Sequence, residues 1–125
     1  MYSRKDDLYN GKGKRTYLLY NDNKLVDQGY YDGYWINGNK EGHGVQLYYR
    51  GSKYEGEWVQ DAWNGKGIYQ SKNSQTISEG EFKNGELSGV GKFTDNQDSF
   101  YYEGEFKQGM FNGKGKLTRF GKFKE

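Results

Sequence analysis

The sequence predicts an all-β protein: tandem β-hairpin repeats forming one elongated, twisted antiparallel sheet with a groove. Three observations predict it. A unit of 23 or 24 residues recurs along the chain, each unit alternates with a period of two, and aromatic residues and glycines stand where aliphatics usually do. With 125 residues the chain has the length of one domain.

The repeat comes first because it decides the rest. Aromatic-x-Gly-x-aromatic occurs at Tyr31-Asp32-Gly33-Tyr34-Trp35 and at Tyr54-Glu55-Gly56-Glu57-Trp58. It returns as Ser78-Glu79-Gly80-Glu81-Phe82, with its opening ring replaced, and as Tyr102-Glu103-Gly104-Glu105-Phe106. Nine residues after each central glycine stands Gly-x-Gly: Gly42/Gly44, Gly65/Gly67, Gly89/Gly91 and Gly113/Gly115. A turn glycine lies between at Gly38, Gly85 and Gly109, with Asp61 in its place once. A fifth pair, Gly11/Gly13, precedes the set. The units are thus 31–53, 54–77, 78–101 and 102–125, after a partial repeat over 6–30. Seventeen of the 20 glycines fall on these positions, so they are architectural. No Gly-x-Gly reads as a phosphate loop, since no helical pattern follows any of them.

Within a unit, Tyr54, Gly56 and Trp58 share one strand face, and Glu55, Glu57 and Val59 the other. Asn84-Gly85 is a strong two-residue hairpin signal, and Asn37-Gly38 and Gln108-Gly109 hold the same slot. Each unit therefore reads as a hairpin with arms of about five or six residues. Glycine leaves a gap on a sheet face, and a ring that lies over it restores the packing. Rings over glycines account for the composition. Leu, Ile, Val and Phe together number 21 of 125, below the roughly one-fifth typical of folded chains. The 23 aromatic residues argue against disorder, because each ring buries a large area. An apolar residue stands two positions before Gly-x-Gly at Trp63, Leu87, Phe111 and Tyr9, with Lys40 the exception. Where the repeat fails, at Met1–Asn10 and around Asn21–Lys24, loose chain is expected.

Tyr-Glu-Gly-Glu-Trp at 54–58, followed by Gly-Lys-Gly at 65–67, resembles the MORN (membrane occupation and recognition nexus) repeat. The match covers 31–125 well and 6–30 in part. The resemblance implies a sheet of joined hairpins doing non-catalytic work: scaffolding, protein docking, dimerisation, and in some members contact with anionic lipid. Ser78, Asp61 and the irregular front depart from the pattern.

Several chemistries are excluded. No cysteine is present, so neither a disulfide framework nor a thiolate metal site exists. The pairs Glu55/Glu57, Glu79/Glu81 and Glu103/Glu105 hold carboxylates about 7 Å apart, twice the strand rise. Three equivalent copies point to a solvated face matched with Lys66, Lys92 and Lys114, not to an acid–base pair. His43 holds the repeat position of Lys66, Val90 and Lys114, a surface or groove position. No enzyme activity, cofactor or metal site is expected. The start of the chain carries no apolar signal stretch and no run spans a membrane, so a cytoplasmic protein, or one peripheral to a membrane, is expected.

A single-layer sheet leaves rings partly exposed. Tyr31, Trp35, Tyr54, Trp58, Phe82, Tyr102 and Phe106 are accordingly the candidate partner-binding stripe, for a protein or a second copy of the chain. Both ends are basic: residues 1–16 carry +3, residues 107–125 carry +5, and the middle carries −6. Lys114, Lys116, Lys122 and Lys124 share strand parity and are the candidate anion site, for anionic lipid or a phosphorylated ligand. The acidic middle argues against nucleic acid.

Overall fold

The chain is described by a computed structural model that covers residues 3–5, as backbone, and 8–121. Ten strands follow one another in sheet order with no crossover: β1 (Ser3–Lys5), β2 (Leu8–Asn21), β3 (Lys24–Ile36), β4 (Asn39–Leu47), β5 (Lys53–Val59), β6 (Ala62–Gln70), β7 (Thr76–Lys83), β8 (Glu86–Asp95), β9 (Phe100–Lys107) and β10 (Met110–Arg119). Every pairing is antiparallel, so the sheet is open and built from successive hairpins, as expected from the sequence. Short 3-10 turns at Tyr49–Gly51 and Lys72–Ser74 link hairpins. Among the described residues no helix is long and apolar enough to cross a membrane.

The glycines set the register. Gly33 faces Gly44, Gly56 faces Gly67, Gly80 faces Gly91 and Gly104 faces Gly115. The same glycines pair across hairpins, Gly44 with Gly56, Gly67 with Gly80 and Gly91 with Gly104, so one glycine row crosses the sheet. On the turn side of that row each of these four hairpins shifts register, as between Gly56 and Trp58. The bulge turns the strand locally.

Hairpin turns use two residues with positive φ, the type I′ geometry that matches strand twist. Asn84 (φ 50°) and Gly85 (φ 86°) do so, and so do Gln60 (φ 47°) and Asp61 (φ 69°) without a glycine. Asp61 is held by neighbours: its Oδ1 accepts the Lys40 amide at 2.8 Å and its amide donates to the Lys40 carbonyl at 3.1 Å. The second turn residue of the other three repeat hairpins reaches back in this way. Gly38 donates to Tyr9, Gly85 to Trp63 and Gly109 to Leu87, at 2.9–3.0 Å. Successive hairpins are therefore stitched at their tips as well as along their strands.

Two expectations are corrected. From β2 to β10 the arms are 7 to 14 residues long, not five or six, because pairing continues past the glycine motif toward the linkers. Residues Asn21–Lys24 are not loose: Asp22 (φ 51°) and Asn23 (φ 62°) close a regular turn on the long β2–β3 hairpin, with Asn21 opposite Lys24. The extra residues of the front unit lengthen two paired arms, which satisfies their backbone groups without a loop. Of Met1–Asn10, Ser3–Lys5 pairs with Leu8–Asn10, and Met1, Tyr2, Asp6 and Asp7 lie outside the described residues.

Candidate functional site: an aromatic groove on one sheet face

Alternation places all the repeat rings on one face. Tyr31, Trp35, Tyr54, Trp58, Phe82, Tyr102 and Phe106 are 0–7% exposed and, with Leu87, form the buried core. The expectation that these seven rings are partly exposed is therefore corrected. Each tyrosine folds down over the glycine pair of its own hairpin, and a second layer of side chains closes over the tyrosines. A Cβ on Gly33, Gly56 or Gly104 would lie 2.7–2.8 Å from the hydroxyl of Tyr31, Tyr54 or Tyr102, so only glycine leaves room for the ring. The hydroxyls donate to the carbonyls of Tyr34, Glu57 and Glu105 at 3.0–3.1 Å, which satisfies a buried polar group at the bulge.

Rings also link repeats. The Tyr31 ring meets Trp58 edge-on at 5.3 Å, and Tyr54 meets Phe82 at 5.4 Å. The indoles of Trp35 and Trp58 donate to the carbonyls of Gly13 and Gly44 on the preceding strand, both at 3.1 Å. Burial pushes the phenols of Tyr31 and Tyr54 well above the ordinary tyrosine range, against the lowering effect of their backbone hydrogen bonds.

The second layer differs along the sheet. Over Tyr54 lies Trp63, stacked at 4.5 Å, and over Tyr102 lies Phe111, stacked at 4.1 Å. Over Tyr31 the place belongs to Lys40, whose Nζ lies 5.2–5.7 Å from the ring centres of Tyr17, Tyr31 and Trp58. Burial lowers the Lys40 ammonium pKa, and Asp61 opposes that shift. Beside it, Gln46 is buried with no hydrogen-bond partner on its Oε1, lining a cavity of about 240 Å³ together with Lys40 and Tyr48.

Between Trp63 and Phe111 the layer opens into a groove of about 590 Å³, within the range of ligand sites. Trp63, Tyr69, Leu87, Phe93 and Phe111 line it, and Glu86 and Met110 stand at the hairpin tips on its margin. Of the seven rings singled out in the sequence, Phe82 and Phe106 reach its lining. Met110 and Phe111 are 69% and 46% exposed. The position two before Gly-x-Gly signalled Trp63, Leu87 and Phe111, whereas nothing in the repeat marked Met110.

The opposite face is polar. His43, Glu55, Glu57, Lys66, Glu79, Glu81, Lys92 and Glu103 line a trough of about 830 Å³ over the glycine row. Lys66 faces Glu81, and Lys92 sits between Glu79 and Glu103, as expected for a solvated ladder. His43 is exposed, with Nε2 at 4.0 Å from Glu55. Lys114 and Lys116 belong to this face as well: Lys116 lies opposite Glu103, and the Lys114 amide donates to the Glu105 carboxylate at 3.2 Å. Lys122 and Lys124 lie outside the described residues.

A third surface escaped the sequence reading. The long β2–β3 hairpin carries Leu18, Leu19, Tyr20, Leu25 and Val26, each 42–57% exposed. β4 pairs with β3 only from Tyr30 onward, so the outer part of this hairpin has no strand beside β3. The adjacent apolar pair Leu18-Leu19, which breaks the alternation, was the available signal.

No curated protein matches the chain. The family model for the MORN repeat matches residues 5–17, 31–53, 54–76, 79–99 and 102–120, well over half of the sequence. Five registered segments, each contributing glycines to the row that crosses the sheet, place this chain in the MORN repeat family.

Proposed function

We propose that this protein is a non-enzymatic scaffold that docks a protein partner in the aromatic groove between β6 and β10. MORN repeats are in general binding and scaffold modules for membranes or proteins and are generally non-catalytic. The observation that carries the finer reading is the groove itself. It is walled by rings, and Met110 and Phe111 at its margin are exposed in a chain whose seven core rings are covered. Exposed apolar side chains around a concave site favour a protein segment over a soluble ion. Of the seven core rings, Phe82 and Phe106 contribute to the floor of the groove, and the other five lie outside its lining. Docking of anionic lipid or a phosphorylated ligand through the basic ends has less support, because Lys114 and Lys116 share their face with Glu103 and Glu105.

Quantitative capture from a lysate tests this with Met110→Asp against Val90→Asp. Val90 is an equally exposed apolar residue on the opposite face. A partner retained by Val90→Asp and lost by Met110→Asp supports the groove. Equal retention by both overturns it. Sedimentation equilibrium of the same variants identifies the case in which the partner is a second copy.

A further inference from the structure

The groove exists because one repeat lacks both of its stacked rings. In the second and fourth units two rings are stacked on the glycine pair, Tyr54 under Trp63 and Tyr102 under Phe111. In the third unit Ser78 replaces the lower ring and Leu87 the upper. Leu87 has dropped into the lower layer. A Cβ on Gly80 or on Gly91 would meet Leu87 Cδ2 at 3.4 Å, where the sister glycines meet a tyrosine hydroxyl, and Leu87 is buried. The upper layer above Leu87 is left open between Trp63 and Phe111, and that opening is the groove.

We infer that this gap is a slot for one aromatic side chain of a partner, flanked in the partner by a basic residue. The size and chemistry of the missing element are set by its neighbours. Both equivalent positions beside it hold a ring, and Phe93 and Tyr69 continue the walls. Ring faces and edges on several sides favour another ring over an aliphatic chain. The charge follows from Glu86. It is exposed, it is the charged residue lining the groove, and no ion pair to it forms among the described residues, although Lys83 lies opposite it in the hairpin. A cation beside the ring complements that carboxylate. The inference rests on the docking reading and specifies its anchor.

The test uses the full chain and two small probes, L-tryptophanamide, which is a cation, and its neutral N-acetyl derivative. Backbone amide shifts are followed by NMR. The cation is expected to shift the amides of Leu87, Phe93 and Phe111 saturably and to bind at least threefold tighter than the neutral probe. Glu86→Gln is expected to erase that preference. The double variant Ser78→Tyr/Leu87→Trp, which restores the pattern of the second unit, is expected to melt higher and to bind at least tenfold more weakly. Phe111→Ala removes one wall from an exposed position and is expected to weaken binding similarly, which keeps the test open if the double variant fails to fold. Unsaturable or scattered shifts, or unchanged binding in Phe111→Ala, overturn the slot. Ring binding without groove-dependent capture refutes only the docking reading, and groove-dependent capture without ring binding refutes only the slot.

Discussion

The second and third repeats share a backbone and differ in what stands on it. Both pair glycine with glycine, both shift register before the next aromatic, and both turn through two residues of positive φ. The second is closed by Tyr54 and Trp63, the third by Leu87 alone. The loss of two stacked rings thus converts a filled layer into a groove while the sheet continues undisturbed. Repeats that contact only their neighbours tolerate this, because the loss is local. In such an array, a departure from the consensus marks the place where a surface feature arises.

The comparison is most strongly tested by moving the gap. Tyr54→Ser should remove the lower ring from the second unit, as Ser78 does in the third, and cost about 3–5 kcal/mol, the usual range for deleting a buried ring. Ser78→Ala should cost under about 0.5 kcal/mol, since no ring depends on it. Urea midpoints measure both, and equal costs would refute the distinction. The glycines sharpen it next. A Cβ at Gly67 runs into the Tyr54 hydroxyl, whereas at Gly91 it meets the Glu79 carbonyl oxygen at 2.9 Å and Leu87 at 3.4 Å. Gly67→Ala should cost about 2–3 kcal/mol and Gly91→Ala about 1 kcal/mol, the scale of overpacking.

Alkaline stability separates the first and second units from the third. The phenols of Tyr17, Tyr31, Tyr48 and Tyr54 are all raised, chiefly by burial. Above a pH of about 10 the unfolded chain loses these protons while the folded chain keeps them, so stability must fall as pH rises. Lys40, lowered by burial, acts in the opposite sense but is a single group. Chemical denaturation from pH 8 to 11.5 should show the fall, and Tyr54→Phe should make it shallower. An unchanged slope in that variant would contradict the burial argument. The smallest effect is expected at Asp61→Gly. Glycine relieves a φ of 69° but removes the acceptor for the Lys40 amide. The two effects are each of order 1 kcal/mol, so the net change should stay within about 0.5 kcal/mol.

Much of this protein is written in the order of its residues. Glycine spacing determined the repeat, the hairpins and the strand register, because only glycine admits a tyrosine ring against the backbone at Gly33, Gly56 and Gly104. Alternation determined which face carries rings and which carries Glu55, Glu79 and Glu103. Exposure was not legible, because it depends on a second layer contributed from other positions: Trp63 hides Tyr54, and Lys40, a charged residue in an aromatic place, helps hide Tyr31. The loose segment expected at Asn21–Lys24 became an ordered hairpin tip, because paired strands could be lengthened through a turn of positive φ. The groove was likewise decided in three dimensions. Ser78 is visible as a missing ring in the sequence, but the gap opens one layer higher, above Leu87, because a flexible aliphatic side chain sinks to cover the glycines that the ring has left bare.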